Sequence, residues 1–317
     1  MRFAVHHFHE NGFDIVQLKD NITGTYANII PLCGAILNAF SIISNSREIQ
    51  VIDGFDSLDD WKLSKESGFK SAKLSPFVCR TYQSRYSWQG KDYVLDKFSL
   101  DGSALHGLIY DAPFKVIEEA ANIHFAEVEL RYVFPPGYQG YPFSYECYVR
   151  YRLEEDNTLG IVTAIHNRSR ESLPIADGWH PYFGFGKKVN DLVLKVCSDT
   201  QLEYNSELIP TGKTIHDDRW YNGIAIGDIS LDNGYVLDFT QNQPLCTLKD
   251  PESGVSIDFL PDASYPYLQL YIPDERESIA IENLSAAPDA FNNKMGLTIL
   301  APDHTKTFKV KYRLKSL

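Results

Sequence analysis

The chain has 317 residues, 44% of them hydrophobic and 23% charged, and a formal net charge of −12 at pH 7. This is an ordinary globular composition, and no stretch approaches the roughly 18 consecutive apolar residues of a membrane span. The acidic balance excludes the basic surface that binds nucleic-acid phosphates and weakly disfavours an anionic substrate. We therefore expect a soluble protein whose partner is neither a membrane nor a nucleic acid.

The N-terminus and the cysteines predict a cytoplasmic protein. Residues 1–20 contain no basic segment followed by an apolar run and a small-residue cleavage site, so export is not indicated. The cysteines are odd in number, far apart and without a CxxC pair, which favours buried thiols over a disulfide framework or a zinc cage. They are Cys33, Cys79, Cys147, Cys197 and Cys246.

Short runs of β-forming residues, bounded by Gly, Pro, Asn or Asp, recur along the whole chain. In SYECYVRYRL the alternate residues from Tyr145 to Tyr151 share one face, while Arg150 and Arg152 lie on the other, as in a strand with one wet face. In chain order the predicted strands are FDIVQL, TYANIIPL, DYVLDKFSL, AEVELRYVF, SYECYVRYRL, IVTAIHN, DLVLKVC, YVLDF, PYLQLYIP, SIAIEN and KTFKVKYRL.

Helical patterns are few. Phe55 to Glu66 and Phe114 to Ala121 are predicted helices, but neither is long enough for the crossover that joins parallel strands. The stretch PPGYQGYP, Pro135 to Pro142, is predicted to be a loop between strands rather than a linker. The sequence thus predicts an all-β fold, a large antiparallel β-sandwich with few short helices, in which residues 1–317 form one domain.

The string DGWHPYFGFG, Asp177 to Gly186, is the strongest indication of function. It places His180 among aromatic, glycine and proline residues, where an imidazole is held rigidly and can give or take a proton near physiological pH. Taken alone, the string is explained equally well by a structural histidine buried among aromatics.

Three further segments contain candidate polar groups. Arg80 follows a Pro-Phe pair and is suited to bind hydroxyls or a carboxylate. His106 stands beside a glycine, where the backbone can approach a ligand closely. Glu282 ends an apolar strand, either as a surface residue or as a partly desolvated base with a raised pKa. The spacing of these residues does not show that they converge.

We predict no metal site and no cofactor. His6, His7 and His9 lie close together, but no Cys, Asp or Glu array of ligand spacing accompanies them, so a solvated edge strand explains them as well. The strings GxGxxG, GxxxxGK[ST], GxSxG and HExxH do not occur, which leaves nucleotide and serine-hydrolase chemistry without support.

Taken together and in order, these segments resemble the aldose 1-epimerase (galactose mutarotase) family. The likeness covers residues 15–315, and a chance match of separate short motifs in order over that length is improbable. The matching elements are Pro76, Phe77 and Arg80; Leu105 to Gly107; His180, Tyr182 and Phe183; Leu231, Asp232 and Tyr235; and Glu282 with the later PDAFNN.

The resemblance implies a large antiparallel β-sandwich with a sugar site on one sheet, and a reaction without a cofactor. In that reaction a base removes the proton of the anomeric hydroxyl while an acid protonates the ring oxygen. The ring opens to the aldehyde, the C1–C2 bond rotates, and the reverse transfers close the other anomer.

Carried over to this chain, the resemblance assigns Glu282 as the base, His180 as the acid and His106 as a second donor near the ring oxygen. The implied sugar contacts are Arg80 and Asp232 for hydroxyls, with Arg85 as an alternative arginine, and Trp179 and Tyr182 as aromatic surfaces for the C–H faces.

The leading functional hypothesis is an enzyme that interconverts the α and β anomers of a free aldohexose such as glucose or galactose. A hexose-6-phosphate mutarotase is the alternative within catalysis, but it needs a cluster of Arg or Lys for the phosphate. A carbohydrate-binding or sensing protein with the same fold is the alternative from another class. A glycoside hydrolase lacks its second carboxylate here. The sequence leaves monomer and homodimer both open.

Overall fold

The structure, a computed structural model, describes residues 1–316. The two helices are α1 (Leu58–Gly68) and α2 (Ala290–Asn293). The strands are β1 (Phe3–Glu10), β2 (Phe13–Asp20), β3 (Tyr26–Ile30), β4 (Ile36–Ser44), β5 (Arg47–Gln50), β6 (Ala72–Leu74), β7 (Arg80–Thr81), β8 (Arg85–Trp88), β9 (Lys91–Val94), β10 (Ser99–Leu100), β11 (Ser103–Leu105), β12 (Lys115–Ala121), β13 (Phe125–Phe134), β14 (Tyr145–Glu154), β15 (Thr158–Asn167), β16 (Leu173–Ile175), β17 (Gly178–His180), β18 (Tyr182–Phe183), β19 (Val193–Val196), β20 (Thr200–Tyr204), β21 (Pro210–His216), β22 (Ile224–Ala225), β23 (Asp232–Val236), β24 (Cys246–Asp250), β25 (Val255–Pro261), β26 (Tyr267–Tyr271), β27 (Ile279–Leu284), β28 (Thr298–Leu300) and β29 (Thr305–Ser316).

Three large antiparallel sheets make up most of the fold. One has five strands in sequence order, β1 to β5. The second has nine strands in the order β12-β13-β14-β15-β29-β25-β24-β19-β22. The third, of eight strands, runs β21-β20-β23-β26-β27-β17-β6, with β18 paired to β27. Three small sheets, β10-β11-β7, β16-β28 and β8-β9, complete it.

The core lies between the large sheets. Phe183 of the eight-stranded sheet packs edge-on against Phe259 of the nine-stranded sheet, with ring centroids 4.8 Å apart. The rings of Trp179 and Tyr151 also meet edge to face, with centroids 5.9 Å apart. Each ring buries a large apolar area and prefers this edge-to-face geometry. The predicted all-β sandwich with few helices is confirmed, and the residues between Pro135 and Pro142 form the predicted loop.

Every predicted strand run overlaps an observed strand, and the first predicted helix is confirmed as α1. Ser57 caps that helix, because its side chain accepts a hydrogen bond from the backbone of Asp60. Among residues 1–316, no helix is long and apolar enough to cross a membrane. All five cysteines are free and buried, as the sequence predicted.

The second predicted helix is wrong. Lys115–Ala121 is strand β12, which pairs antiparallel with β13 at the edge of the nine-stranded sheet and carries a bulge after Val116. Glu118, Glu119 and the alanines have helical propensity, but pairing with β13 decides the conformation. Charged side chains and a bulge are typical of a protected sheet edge.

A buried ion pair ties together the strands that reach the functional site. The Nζ of Lys73 in β6 lies 2.6 Å from the Oδ1 of Asp177, and both side chains are 0% exposed. Tyr265 donates to the same oxygen at 2.6 Å. The main-chain N–H of Asp177 bonds the hydroxyl of Ser285, just after β27. These bonds connect β6 with the start of β17 and the end of β27.

Replacing Lys73 with methionine is expected to destabilise the fold by about 3–5 kcal/mol, because the Asp177 carboxylate would stay buried without its partner. Chemical denaturation of the variant measures the loss. The double variant Lys73→Met/Asp177→Asn should recover part of the stability, since it leaves no lone charge. Lys62→Met, which removes an exposed pair with Asp59, should change little. Equal losses for Lys73→Met and Lys62→Met would contradict the argument.

Candidate active site

A cavity of about 390 Å³ lies on the face of the eight-stranded sheet away from the sandwich core. Successive residues of a strand point to opposite faces, so Trp179 enters the core while His180 enters the cavity. Residues 66–69, at the end of α1, form part of its rim, together with Leu208.

The sheet register sets the polar floor of this cavity. Glu282 in β27 stands opposite Gln269 in β26, and Asp232 in β23 stands opposite Tyr271. All four side chains line the cavity, because they share one face of neighbouring strands. The floor is therefore built from three adjacent strands rather than from loops.

Arg80 and His106 reach the cavity from the small sheet formed by β7, β10 and β11. His106 follows β11 in the left-handed conformation, with φ 58°, and its N–H donates to the carbonyl of Cys79 at 2.9 Å. Gly107 has φ 83°, and a Cβ there would lie 2.4 Å from the carbonyl oxygen of Ser75. Only glycine fits that position, which explains the Leu-His-Gly string.

The titratable groups meet at the bottom of the cavity. Nε2 of His180 lies 3.4 Å from Oε1 of Glu282. The rings of His180 and His106 are perpendicular, with centroids 4.7 Å apart. Nδ1 of each histidine and Oε2 of Glu282 are buried and have no hydrogen-bond partner within residues 1–316. Buried polar atoms normally have a hydrogen-bond partner, so these three unpaired atoms are suited to bind a polar ligand.

Burial changes the protonation of these groups. It raises the pKa of Glu282 well above the usual value, helped by the charge of Asp232. It lowers the pKa of His180 to about 4 and that of His106 well below 6.5. The expectation of a histidine that titrates near neutrality is therefore wrong, because desolvation disfavours the imidazolium. Desolvation favours the neutral form of both groups, so a single titratable proton of the His180–Glu282 pair lies on the carboxyl group rather than on the imidazole.

A hydrogen-bonded wall that the sequence did not predict stands beside the pair. Nε2 of Gln269 donates to Oδ1 of Asp232 at 2.7 Å, and the hydroxyl of Tyr204 donates to Oε1 of Gln269 at 2.9 Å. Tyr204 can approach because Gly234 has no side chain: a Cβ there would lie 2.1 Å from its hydroxyl. The only sequence signal for Gln269 was a polar residue between apolar ones in PYLQLYIP.

Most of the predicted site residues line the cavity. Arg80 does, and it forms no ion pair with any residue from 1 to 316, whereas Arg85 is exposed outside it. Tyr182 lines it too and stacks on His180, with centroids 5.1 Å apart. Trp179 is the exception: it lies in the core, 2% exposed, with the ammonium of Lys73 4.5 Å from its ring centroid.

Within the described part of the chain, His106, His180 and Glu282 form the one group of three such side chains whose ligand atoms all lie within 4.8 Å of one another. Two imidazoles and a carboxylate can hold a transition metal. His6, His7 and His9 do not form such a group. They are exposed on the edge strand β1, where His7 pairs with Glu119 and His9 with Asp14.

The β-sandwich thus holds an acid–base pair at the bottom of a polar cavity, the kind of concave site that binds a small molecule. The sequence profile described as aldose 1-epimerase matches residues 14–313. The chain belongs to the aldose 1-epimerase family.

Known relatives and structures resemble the chain over almost its full length. It is 24% identical to an aldose 1-epimerase of Streptococcus thermophilus over 315 residues, 88% of each protein. A galactose mutarotase-like protein of Clostridium acetobutylicum superposes with a TM-score of 0.86 at 17% identity, covering 100% and 99% of the two chains. Galactose 1-epimerase of Lactobacillus acidophilus gives 0.81, also at 17% identity, with 99% of each chain covered. These structural likenesses show the fold.

Proposed function

We propose that the protein is an aldose 1-epimerase that interconverts the α and β anomers of a free aldohexose without a cofactor. The observation that supports this most directly is the His180–Glu282 pair, 3.4 Å apart and buried at the bottom of a polar cavity. Two proton carriers at this separation can act on neighbouring oxygens of one sugar, such as the anomeric hydroxyl and the ring oxygen.

The proposed reaction uses the two tautomers of the singly protonated pair. Ring opening starts from the Glu282 carboxylate with the His180 imidazolium: the carboxylate takes the anomeric hydroxyl proton and the imidazolium gives its proton to the ring oxygen. This leaves the neutral carboxyl and the neutral imidazole, the form that burial favours. Ring closure on the other carbonyl face reverses both transfers, so no proton is exchanged with solvent over a cycle.

The other cavity residues suit a sugar substrate. Asp232 and Gln269 offer acceptors and a donor for hydroxyl groups, and Arg80 offers an unpaired guanidinium. His106 lies beside His180 and is suited to donate to the same region of the ring. The ring of Tyr182 provides a flat surface for C–H groups. Trp179, buried in the core, is not part of this proposal.

The charge of the cavity favours an unphosphorylated sugar over a hexose 6-phosphate. Among residues 1–316, Arg80 is the one arginine or lysine that lines the cavity. Both lining histidines are neutral, so Arg80 is the single cation there. Glu66, Asp232 and Glu282 line the same space. A phosphate dianion would meet the carboxylates of Glu66 and Asp232 with a single cation to offset them, and like charges in a low-dielectric site repel strongly.

We expect anomer exchange on glucose or galactose with kcat/KM at least about tenfold higher than on glucose 6-phosphate, a difference of about 1.4 kcal/mol in transition-state binding. Polarimetry of freshly dissolved single anomers, corrected for the spontaneous rate, measures all three sugars. Exclusive activity on the phosphate would contradict the proposed substrate. Sugar binding without any exchange would favour the carbohydrate-binding protein instead.

The same assay tests the cofactor-free mechanism. Dialysis against a chelator should leave the rate unchanged, since the protein's own groups carry both protons. If the rate were lost on chelation and restored by a divalent metal, the group formed by His106, His180 and Glu282 would be a metal centre.

A further inference from the structure

The side chains of His106, His180 and Glu282 form a compact set of metal-binding donors. One ring nitrogen of each histidine and one carboxylate oxygen all lie within 4.8 Å of one another. Glu282 belongs to β27 and His180 to the adjacent strand β17, while the N–H of His106 is fixed by its hydrogen bond to Cys79. The donors are therefore held by hydrogen-bonded backbone, which places side chains more precisely than a free loop does.

The separation of two of these donors fits a tetrahedral zinc ion. Zn²⁺ binds imidazole nitrogens at about 2.0–2.1 Å and carboxylate oxygens at about 2.0–2.2 Å, so neighbouring ligands of a tetrahedral ion lie about 3.4 Å apart. Nε2 of His180 lies 3.4 Å from Oε1 of Glu282. Nitrogen donors also favour a transition metal over Mg²⁺ or Ca²⁺, which take oxygen ligands.

The cavity offers the ion both space and charge. All three donor side chains line its volume of about 390 Å³, so a fourth ligand such as water has room on the cavity side. Glu66 and Asp232 line the same space, and Arg80 is the single arginine or lysine there among residues 1–316. This excess of carboxylates attracts a divalent cation.

The surroundings of His180 lack one feature of a permanent metal centre. In such centres a ligating histidine almost always donates its other ring N–H to a carboxylate, a carbonyl or water, and loss of that partner weakens metal binding about 10- to 100-fold. With Nε2 of His180 on the ion, the other nitrogen is Nδ1, which is buried without a hydrogen-bond partner in residues 1–316. The group therefore suits a metal that binds and leaves rather than a resident cofactor.

We propose that His106, His180 and Glu282 form a reversible site for Zn²⁺ or a similar transition-metal ion that blocks sugar turnover. The ion takes the nitrogen and oxygen atoms that carry protons in the proposed reaction, so the metal and the sugar exclude each other. The inhibition rests on the proposed function, because it requires that reaction, whereas the binding of the metal does not.

Cobalt(II) is the probe for binding, because a tetrahedral Co²⁺ site absorbs visible light far more strongly than hydrated Co²⁺. CoCl₂ is added to protein dialysed against a chelator. We expect one Co²⁺ per chain with a tetrahedral spectrum, which Zn²⁺ abolishes because it binds such sites more tightly. Each of the variants Glu282→Gln, His180→Asn and His106→Asn should weaken Co²⁺ binding at least about tenfold, since even loss of an outer partner costs about that much.

His7→Asn/His9→Asn is the control for metal bound at the surface. These two exposed histidines lie on one face of β1, away from the cavity lining, so their loss should leave the Co²⁺ spectrum and affinity unchanged. Circular dichroism of Glu282→Gln separates lost binding from unfolding, because that variant is expected to keep the wild-type fold. A tetrahedral spectrum that survives in all three site variants, or disappears in the control, would overturn the site.

Kinetics test the inhibition. Free Zn²⁺ at ten times its dissociation constant should raise the apparent KM for glucose about tenfold and leave kcat nearly unchanged, because the two ligands compete for one site. Addition of a chelator should restore the original KM, and saturating glucose should weaken Co²⁺ binding.

The outcomes separate this inference from the proposed function. If Zn²⁺ binds but leaves anomer exchange unchanged, or accelerates it, the inhibitory role is wrong. If no sugar is exchanged at all, the proposed function is wrong, and the Co²⁺ titration of the variants still decides whether the metal site exists.

Discussion

Replacing Glu282 with glutamine is expected to lower the kcat of anomer exchange by about 10²- to 10⁴-fold, the usual contribution of a positioned proton-transfer group. Glutamine cannot take the proton of the anomeric hydroxyl, while its amide keeps the shape of the carboxyl group. Burial raises the pKa of Glu282, so the native side chain is already uncharged in the resting pair. The variant should therefore keep the stability of the wild type.

The rate is measured by saturation-transfer NMR between the two anomers at equilibrium, and the stability by thermal unfolding. Glu207→Gln is the matched control, because Glu207 is exposed and lines a neighbouring cavity beside Arg80 but not the acid–base site. Its kcat should stay within about twofold of the wild type. If Glu282→Gln kept a kcat within threefold of the wild type, the carboxyl group of Glu282 would not be the base of the reaction.

The strands could be predicted from the sequence because alternation with a period of two is a local signal. In β14 the alternating residues Tyr145, Cys147 and Val149 are all 0% exposed, as the pattern indicates. The failure at β12 has the same origin. The segment from Lys115 to Ala121 carries helix-forming residues, and only its pairing with β13, a tertiary contact, makes it a strand.

The site could be predicted in part. The residue types and their order indicated His106, His180 and Glu282, but their convergence depends on β11, β17 and β27 meeting in space. Strand alternation alone predicts that Trp179 and His180 point to opposite faces of the sheet, so that only one of them can line the cavity. The direction of the pKa shift of His180 follows from complete burial, which a run of aromatic residues suggests but does not determine.

Replacing His180 with asparagine is expected to lower kcat by a similar factor, about 10²- to 10⁴-fold, because the ring oxygen loses its acid. Asparagine retains polar atoms close to the position of Nδ1 but has no titratable nitrogen. His106→Asn is the comparison, because it leaves the His180–Glu282 pair in place and should cost less. If His106→Asn proved the more damaging of the two, the roles of the two histidines would have to be exchanged.

The pH dependence of kcat distinguishes a shared proton from two independent groups. The pair is active with one proton, so the wild-type rate should be flat between the pKa of His180 and the raised pKa of Glu282. As the pH falls through about 4, the pKa of His180, a second proton enters and the rate falls, because the carboxyl group can no longer become a base. At the alkaline end the rate falls as the single proton leaves, at the raised pKa of Glu282.

In His180→Asn the limb near pH 4 should vanish, and the residual rate should rise with pH as Glu282 ionises. A wild-type acid limb near 6.5 would show instead a solvated histidine that titrates by itself, and would contradict the buried pair.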